Sequence, residues 1–184
     1  MSRNPIFVRH ITNLTDARYF AAMEVDWISM ELSEEPGSFS RWHTLRDWIE
    51  GVRLVAEPVH ADEQLMSKII IDALPDGLMV NDTEYIHMTA GIQLFVLTDQ
   101  VPAVSQDPLM IHILTLEEVK RATLKWNELP GLQMFIEHDW TAESLQDVLS
   151  SGYKGGICLH GKEEIQTGLM DFSEMDELLE MIRT

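Results

Sequence analysis

The sequence predicts an α/β fold, a compact (β/α)8 TIM barrel with a shortened connection between its fifth and sixth strands. Short apolar runs alternate with amphipathic stretches eight times along the 184 residues. Strands that alternate with helices form right-handed βαβ units and a parallel sheet, and eight such units allow the sheet to close on itself. No glycine-rich phosphate turn follows the first strand, which leaves an open doubly wound sheet without support. The chain is short for a class that usually runs to about 250 residues, so its loops must be minimal.

Residues 6–11 read as the first strand and 16–25 as the helix after it, with Thr15 as the N-cap. Residues 27–32 are the second strand. On the second helix, 39–50, Trp42, Leu45, Trp48 and Ile49 form a stripe expected to lie on the barrel. The third strand, 52–57, leads to a helix over 61–74. A short fourth strand, 77–80, precedes a brief helix over 83–89, and 92–97 is a fifth strand rich in strand-favouring residues. Residues 100–107 hold Pro102, with Pro108 just beyond. This stretch is too short for a crossover helix, so the chain is expected to reach the sixth strand, 109–114, by an irregular turn. Thr115 caps a helix over 116–129, and 132–136 is the seventh strand. Thr141 caps 142–149, 156–160 is the eighth strand, and Ser173 caps the last helix, 174–182. No repeat, linker or low-complexity tract interrupts the alternation, so residues 1–184 are expected to form a single barrel domain.

The hydrophobic fraction, 45%, and the charged fraction, 24%, are those of an ordinary globular protein. No stretch approaches the ~20 apolar residues of a membrane span. The run Ile6-Phe7-Val8 is too short for a signal peptide. The single cysteine, Cys158, excludes an internal disulfide framework and fits the cytoplasm. Its place in an apolar strand reads as core rather than nucleophile. With 31 acidic against 13 basic residues, the formal net charge is −18, which argues against nucleic acid or an anionic membrane as a partner. A small-molecule ligand is the partner expected. A missing fifth crossover helix would bare part of the barrel wall, which a second subunit could cover, so a homodimer is a further expectation.

In this fold, active sites form at the C-terminal ends of the strands. That rim is polar here, with Arg9, His10, Glu31, Glu57, His60, Asn81, Asp82, His112, Glu137, His138, Asp139 and His160 at strand ends or just beyond. Histidines and carboxylates that converge could hold a divalent ion. No H-x-H or H-x-x-x-H spacing supports one, and rim histidines more often hydrogen-bond to neighbouring carboxylates. Neither a metal nor a cofactor is expected. Arg9, if it faces inward, needs a carboxylate partner. Glu57, Glu137 and Asp139 would plug the mouth with ion pairs; a ligand carboxylate is the other reading.

Three segments carry a resemblance. Residues 7–17, Phe-Val-Arg-His-Ile-Thr-Asn-Leu-Thr-Asp-Ala, followed by Glu24-Val25-Asp26, resemble K-I-C-G-I-T-x-x-x-D-A and a later G-A-D. Residues 136–171 resemble L-A-G-G-L-x-P-E-N-V, then D-V-S-S-G-V-E, then P-G-x-K-D, with Glu143, Gly161, Glu163, Gly168 and Asp171 on motif positions. Residues 78–84 resemble V-Q-L-H-G-x-E, with Glu84 kept. In order and spacing, the set is similar to the phosphoribosylanthranilate isomerases of tryptophan biosynthesis over nearly the whole chain. That resemblance implies a (β/α)8 barrel and an intramolecular aldose–ketose isomerase. The reaction is an Amadori rearrangement, with a cysteine at the end of the first strand as general base and an aspartate at the end of the sixth as general acid. It also implies a phosphate site of glycine amides after strands seven and eight, and an arginine after strand two, for which Arg41 is the candidate. The implied ligand-binding positions are Arg41, Asn81, Glu84, His138, Asp139, His160 and Gly161.

The departures fall on the chemistry. Arg9 takes the cysteine's place and cannot accept a proton at neutral pH. Phe7 takes the lysine's place and His10 the glycine's. The sixth strand has no acidic residue, and His112 is its only titratable group. His138 and Asp139 replace the Gly-Gly pair, and Leu159 and His160 the Ser-Ser pair. Arg9, His10 and His112 are thus the residues at or near the base and acid positions. Two readings stand. In one, the chain is a barrel of this kind without the Amadori activity, serving as a small-molecule-binding protein or an enzyme of unknown reaction. In the other, it is a working isomerase in which His10 or His112 moves the proton.

Overall fold

The computed structural model describes residues 3–60, 62–81, 91–101, 109–122, 134–161 and 171–184. At its centre, parallel strands close into a barrel in sequence order. They are β1 (Ile6–Arg9), β2 (Trp27–Leu32), β3 (Arg53–Pro58), β4 (Gly77–Val80), β5 (Gln93–Leu97), β6 (Met110–Thr115), β7 (Met134–Glu137) and β8 (Gly156–His160). Closure is made by β1 against β8, with Ile6 opposite Ile157 and Arg9 opposite His160. Around the barrel lie α1 (Leu14–Ala22), α2 (Ser38–Trp48), α3 (Glu63–Lys68), α4 (Leu116–Arg121), α5 (Ala142–Ser150) and α6 (Ser173–Arg183). The helix expected over 83–89 lies outside the described residues, as do most of the turn over 100–107 and the second half of the helix expected over 116–129. No helix among the described residues is long and apolar enough to cross a membrane.

Each strand is buried on both faces, which is why these segments read as apolar runs rather than as alternations. Successive side chains go to opposite sides of the wall. Phe7, Trp27, Val55, Met79, Phe95, Ile111, Ile113, Phe135 and Cys158 fill the barrel. Val8, Ile28, Leu54, Val96, Leu114 and Leu159 meet Phe20, Trp42, Leu65 and Leu179 of the helix layer. Cys158 is fully buried and burial pushes its thiol well up, so it is core. Inside, the Phe7 ring lies 4.8 Å from that of Phe95 and 5.9 Å from that of Phe135. Gly156 makes room for this cluster, because a Cβ there would sit 2.3 Å from two ring carbons of Phe135. Gly156→Ala is therefore expected to cost about 1–3 kcal/mol as overpacking. The check is a lower urea midpoint at an unchanged m value.

Local chemistry moves several boundaries. β1 ends at Arg9 because His10 takes a left-handed backbone, φ 57°, which breaks the ladder. The helix then starts earlier than expected. Its cap is Asn13, whose Oδ1 accepts from the Asp16 amide at 2.8 Å, and Thr15 lies inside the first turn. In α6, Ser173 is the first helical residue rather than the cap; Asp171 accepts from its amide at 2.9 Å and from its hydroxyl at 2.7 Å. The third helix is capped by Asp62 and widens into a π turn over Ile69–Ala73. Carbonyls at its end then accept from outside: Ala73 from Trp42 Nε1 at 2.9 Å, and Leu74 from Arg46. Of the stripe on α2, Trp42, Leu45 and Ile49 are buried but Trp48 is 60% exposed. Six residues beyond Trp42 is about 240° around a helix, off the buried face. The Arg18 guanidinium covers the Trp48 ring at 4.7 Å instead. Thr115 and Thr141 cap their helices as expected, each in a reciprocal capping box.

Candidate functional site

Alternation along the strands places Arg9, Ser29, Glu57, Glu137 and His160 on the inner face at the C-terminal end of the barrel. Arg9 is 7% exposed. Its Nε and Nη2 donate to the two carboxylate oxygens of Glu57 at 3.2 and 2.6 Å, and Nη1 donates to Glu137 Oε1 at 2.5 Å. The Ser29 hydroxyl donates to Glu57 Oε1. His160 Nε2 lies 2.6 Å from the same Glu137 oxygen that Arg9 uses. Side-on bidentate pairing is the strong form of the arginine–carboxylate contact, and it locks the guanidinium plane.

Electrostatics follow from the packing. Burial opposes the charge on Arg9, but the hydrogen bond to Glu57 and the charges of Glu57 and Glu137 outweigh it and hold the guanidinium above its usual value. Burial pushes Glu137 up, yet His160 and Arg9 together hold its carboxyl below its ordinary value. Glu137 is therefore ionised and can only accept, which makes Nε2 of His160 the donor in their bond. His10, next to Arg9, keeps its ring 5.4 Å from that of His160 in an edge-on arrangement, with Nδ1 3.8 Å from Glu31 Oε1. A left-handed backbone at a residue with a Cβ costs roughly 1–2 kcal/mol, so the surrounding fold must hold it there.

Among the described residues, three cavities stand out on this rim. The smallest, about 200 Å³, lies over the network and is lined by Arg9, His10, Glu31, Glu57 and Asn81 among others. A second, about 560 Å³, runs from Asn81 past Thr98, Asp99 and Thr115 to Glu118 and Glu137. The third, also about 560 Å³, lies between the ends of β7 and β8 and the start of α6; its walls include His138, Asp139, Trp140, His160, Gly161 and Met175. Among the described residues, no group of three or more His, Cys, Asp or Glu is arranged to hold a metal ion.

The structure brings together Arg9, His10 and His160 at the mouth, Asn81 in two of the cavities, and His138, Asp139, His160 and Gly161 in the third. It does not bring His112 there. His112 lies opposite Val96 and Met134 in the ladders, on the side of the wall that faces the helices. It is buried, neither ring nitrogen has a hydrogen-bond partner among the described residues, and burial pushes its pKa down. Asp139 is exposed and lines the third cavity instead of pairing with Arg9. Arg41 is exposed on α2 and lines none of these cavities. Glu84 lies outside the described residues. Two contributors were not expected from the sequence: Ser29, a lone hydroxyl in an apolar strand, and Trp140, whose Nε1 donates to the Cys158 carbonyl at 2.8 Å and whose ring meets His138 edge-on at 5.3 Å. Gly161 has a packing role. A Cβ there would lie 2.6 Å from Asp16 Oδ2 and 3.0 Å from the His10 carbonyl.

These features define a (β/α)8 barrel with an ion-paired, polar C-terminal mouth. The fold is that of the phosphoribosylanthranilate isomerases. Similar structures include TrpF from Jonesia denitrificans, with a TM-score of 0.73 at 13% identity, over 98% of this chain and 97% of that one. Monomers generated from the dimeric phosphoribosylanthranilate isomerase of Thermotoga maritima match with a TM-score of 0.71 at 12% identity, over 98% of each chain. A truncated 3-deoxy-D-arabino-heptulosonate 7-phosphate synthase from the same organism matches at 0.66 and 13% identity, over 98% of this chain and 85% of that one. No family model matches the sequence, and no curated protein does. At such identities the likeness is one of fold, and this fold hosts many chemistries.

Proposed function

We propose that this protein is a phosphoribosylanthranilate isomerase-like barrel that does not carry out the Amadori isomerisation and instead binds a small molecule at its C-terminal rim, either as a binding protein or as an enzyme of another reaction. Arg9 carries this reading. It stands where the resemblance puts the general base, it has no lone pair to accept a proton, and Glu57 and Glu137 hold it in place. The rearrangement needs a base and an acid within hydrogen-bond reach of one substrate. His112, the residue nearest the acid position in the sequence, sits behind the barrel wall. The region that the resemblance gives to a phosphate is lined by Asp139, Glu174 and Glu177, carboxylates that repel a dianion.

The positions that still match the resemblance have structural work to do. Asp26 accepts from the Ile6 amide at 2.8 Å and from Arg3 at 3.1 Å. Asp16 packs over Gly161, and Asp171 holds the start of α6. A retained scaffold with a replaced mouth is the pattern expected when a fold outlives one chemistry. The homodimer remains part of the proposal; one of the similar structures is of monomers generated from an isomerase that is dimeric.

The test is turnover of phosphoribosylanthranilate by the pure protein, followed as loss of its fluorescence, with thermal unfolding in inorganic phosphate alongside. The expected result is no turnover above the uncatalysed rate and no saturable rise in Tm with phosphate. Enzyme-like turnover would overturn the reading and make His10 the first residue to mutate.

A further inference from the structure

We infer that Glu137 and His160 form a proton-transfer dyad serving the cavity between β7, β8 and α6, with His160 as the base and a neutral or cationic, partly apolar molecule as the substrate; this rests on the reading that the rim takes a small molecule. His160 lines that cavity, and its side chain is 39% exposed. Its Nε2 is engaged by Glu137 at 2.6 Å, and Nδ1 has no hydrogen-bond partner among the described residues. A carboxylate that can only accept fixes the proton on Nε2, so the lone pair sits on Nδ1, on the far side of the ring from Glu137. The same carboxylate steadies the imidazolium once Nδ1 has taken a proton. Glu137 is itself fixed by Arg9, which Glu57 grips from its other edge. Arg9 and Glu137 are thus positioning residues, and His160 is the catalytic one.

The cavity selects the substrate class. About 560 Å³ suits a small organic molecule. Trp140, Leu159, Met175 and Leu178 offer it apolar surface, while Asp139 and Glu177 disfavour an anion. The step this geometry supports is an isomerisation. Nδ1 takes a proton from an O–H or an activated C–H, and the bonding pair stays with the substrate. The imidazolium then returns the proton to another atom of the same molecule. No oxidant, reductant or second reactant is consumed. His138 lines the same cavity, but among the described residues no carboxylate engages it, and its ring meets Trp140.

The probe is 5-nitrobenzisoxazole, an uncharged planar molecule that reports a base directly. When its ring C–H proton is removed, the C–H pair becomes the third C–N bond, the N–O bond breaks with its pair left on oxygen, and a nitrile and a coloured phenolate result. The protein is expected to turn it over with saturation. His160→Gln is expected to lower the rate about 100-fold, within the usual range for losing a general base. Glu137→Gln should lower kcat more than it raises KM, because the base loses its orientation rather than the substrate its pocket. His43→Gln, on the exposed side of α2, should leave the rate unchanged, as a control for an exposed imidazole away from the cavity. Nitrogen-15 spectra of the unmodified protein, which need no variant to fold, should show neutral His160 protonated on Nε2. The inference is overturned by a His160→Gln variant as fast as the parent, by loss of the rate on His138→Gln in its place, or by an Nδ1-protonated His160. None of these outcomes bears on phosphoribosylanthranilate turnover, which decides the parent reading separately.

Discussion

Arg9→Ala is expected to lower the stability of the fold by about 3–5 kcal/mol, measured by urea unfolding at neutral pH. The magnitude comes from what is left behind. Glu57 is 6% exposed, and Glu137 lies beside it at the mouth with Arg9 as their shared cation. Removing one partner of a buried ion pair strands the other charges in a medium that solvates them poorly. Replacing all three by neutral side chains is a different matter, because no charge is then stranded. Arg9→Met with Glu57→Gln and Glu137→Gln is expected to recover most of the loss. The pH dependence follows from the sign of the Glu137 shift. A carboxyl held below its unfolded value of about 4.3 contributes stability above that value and loses it as pH falls through the lower folded value. The gap between parent and Arg9→Ala should therefore be widest at neutral pH and narrow in acid. A gap below about 1 kcal/mol at neutral pH, the range of exposed ion pairs, would mean that the network is open to solvent.

The same network explains why one substitution should not create a thiol base at Arg9. Arg9→Cys would remove the only cation that Glu57 and Glu137 share among the described residues, and would set the new thiol between two carboxylates. Negative neighbours raise a thiol pKa and keep it protonated, the reverse of what a base at neutral pH requires. A thiol base at this position would require the neighbouring carboxylates to change as well.

The barrel was legible because its strands are buried on both faces. A strand packed on one side only would have alternated instead. The fourth and eighth strands, 77–80 and 156–160, stand where the apolar runs between turn residues put them. The helix starts at Thr115 and Thr141 were readable because a capping threonine preceded a regular apolar stripe. At α1, two capping residues compete, and the choice of Asn13 over Thr15 depends on His10 breaking the strand, a backbone property with no signature in its side chain. The π turn before Leu74 ends on carbonyls that accept from Trp42 and Arg46, residues some thirty positions away, and no local pattern encodes those partners.

The site was legible to the extent that chemistry demanded partners. An inward arginine needs carboxylates, and only a few lie at strand ends. Glu57 and Glu137 answer that need. Asp139 does not, because it falls beyond the end of β7, where the chain has already turned outward. His112 shows the limit. A one-residue change in the facing of β6 would exchange the mouth for the helix layer, and a run as uniformly apolar as 109–114 carries no signal of which face is which. His160 was readable as a rim residue, but its bond to Glu137 depends on register, with Arg9 opposite His160 across the closure of the barrel.

Acidification below about pH 6.5 is expected to cost stability through His112, at up to roughly 1.4 kcal/mol per pH unit, and His112→Met is expected to abolish that loss. Burial lowers the pKa of His112 in the folded protein. The unfolded chain then binds a proton near its ordinary value of about 6.5 while the folded chain stays neutral, so stability is full above that value and falls until the folded pKa is reached. Paired carboxylates begin to matter only below about pH 4.3, which leaves a window of their own to His112 and the other histidines. The described histidines other than His112 (His10, His43, His60, His138 and His160) are exposed or half-exposed, so the difference between parent and variant isolates His112. Methionine suits the site because the ladder neighbours are Val96 and Met134, and an apolar side chain of similar volume leaves no buried nitrogen without a partner. Parallel stability curves for parent and variant between about pH 5 and 6.5 would show that His112 reaches water or a partner in the fold. Divergence would fix His112 as a neutral imidazole behind the wall. A group that refuses a proton across the physiological range cannot serve as the general acid of a rearrangement at the mouth.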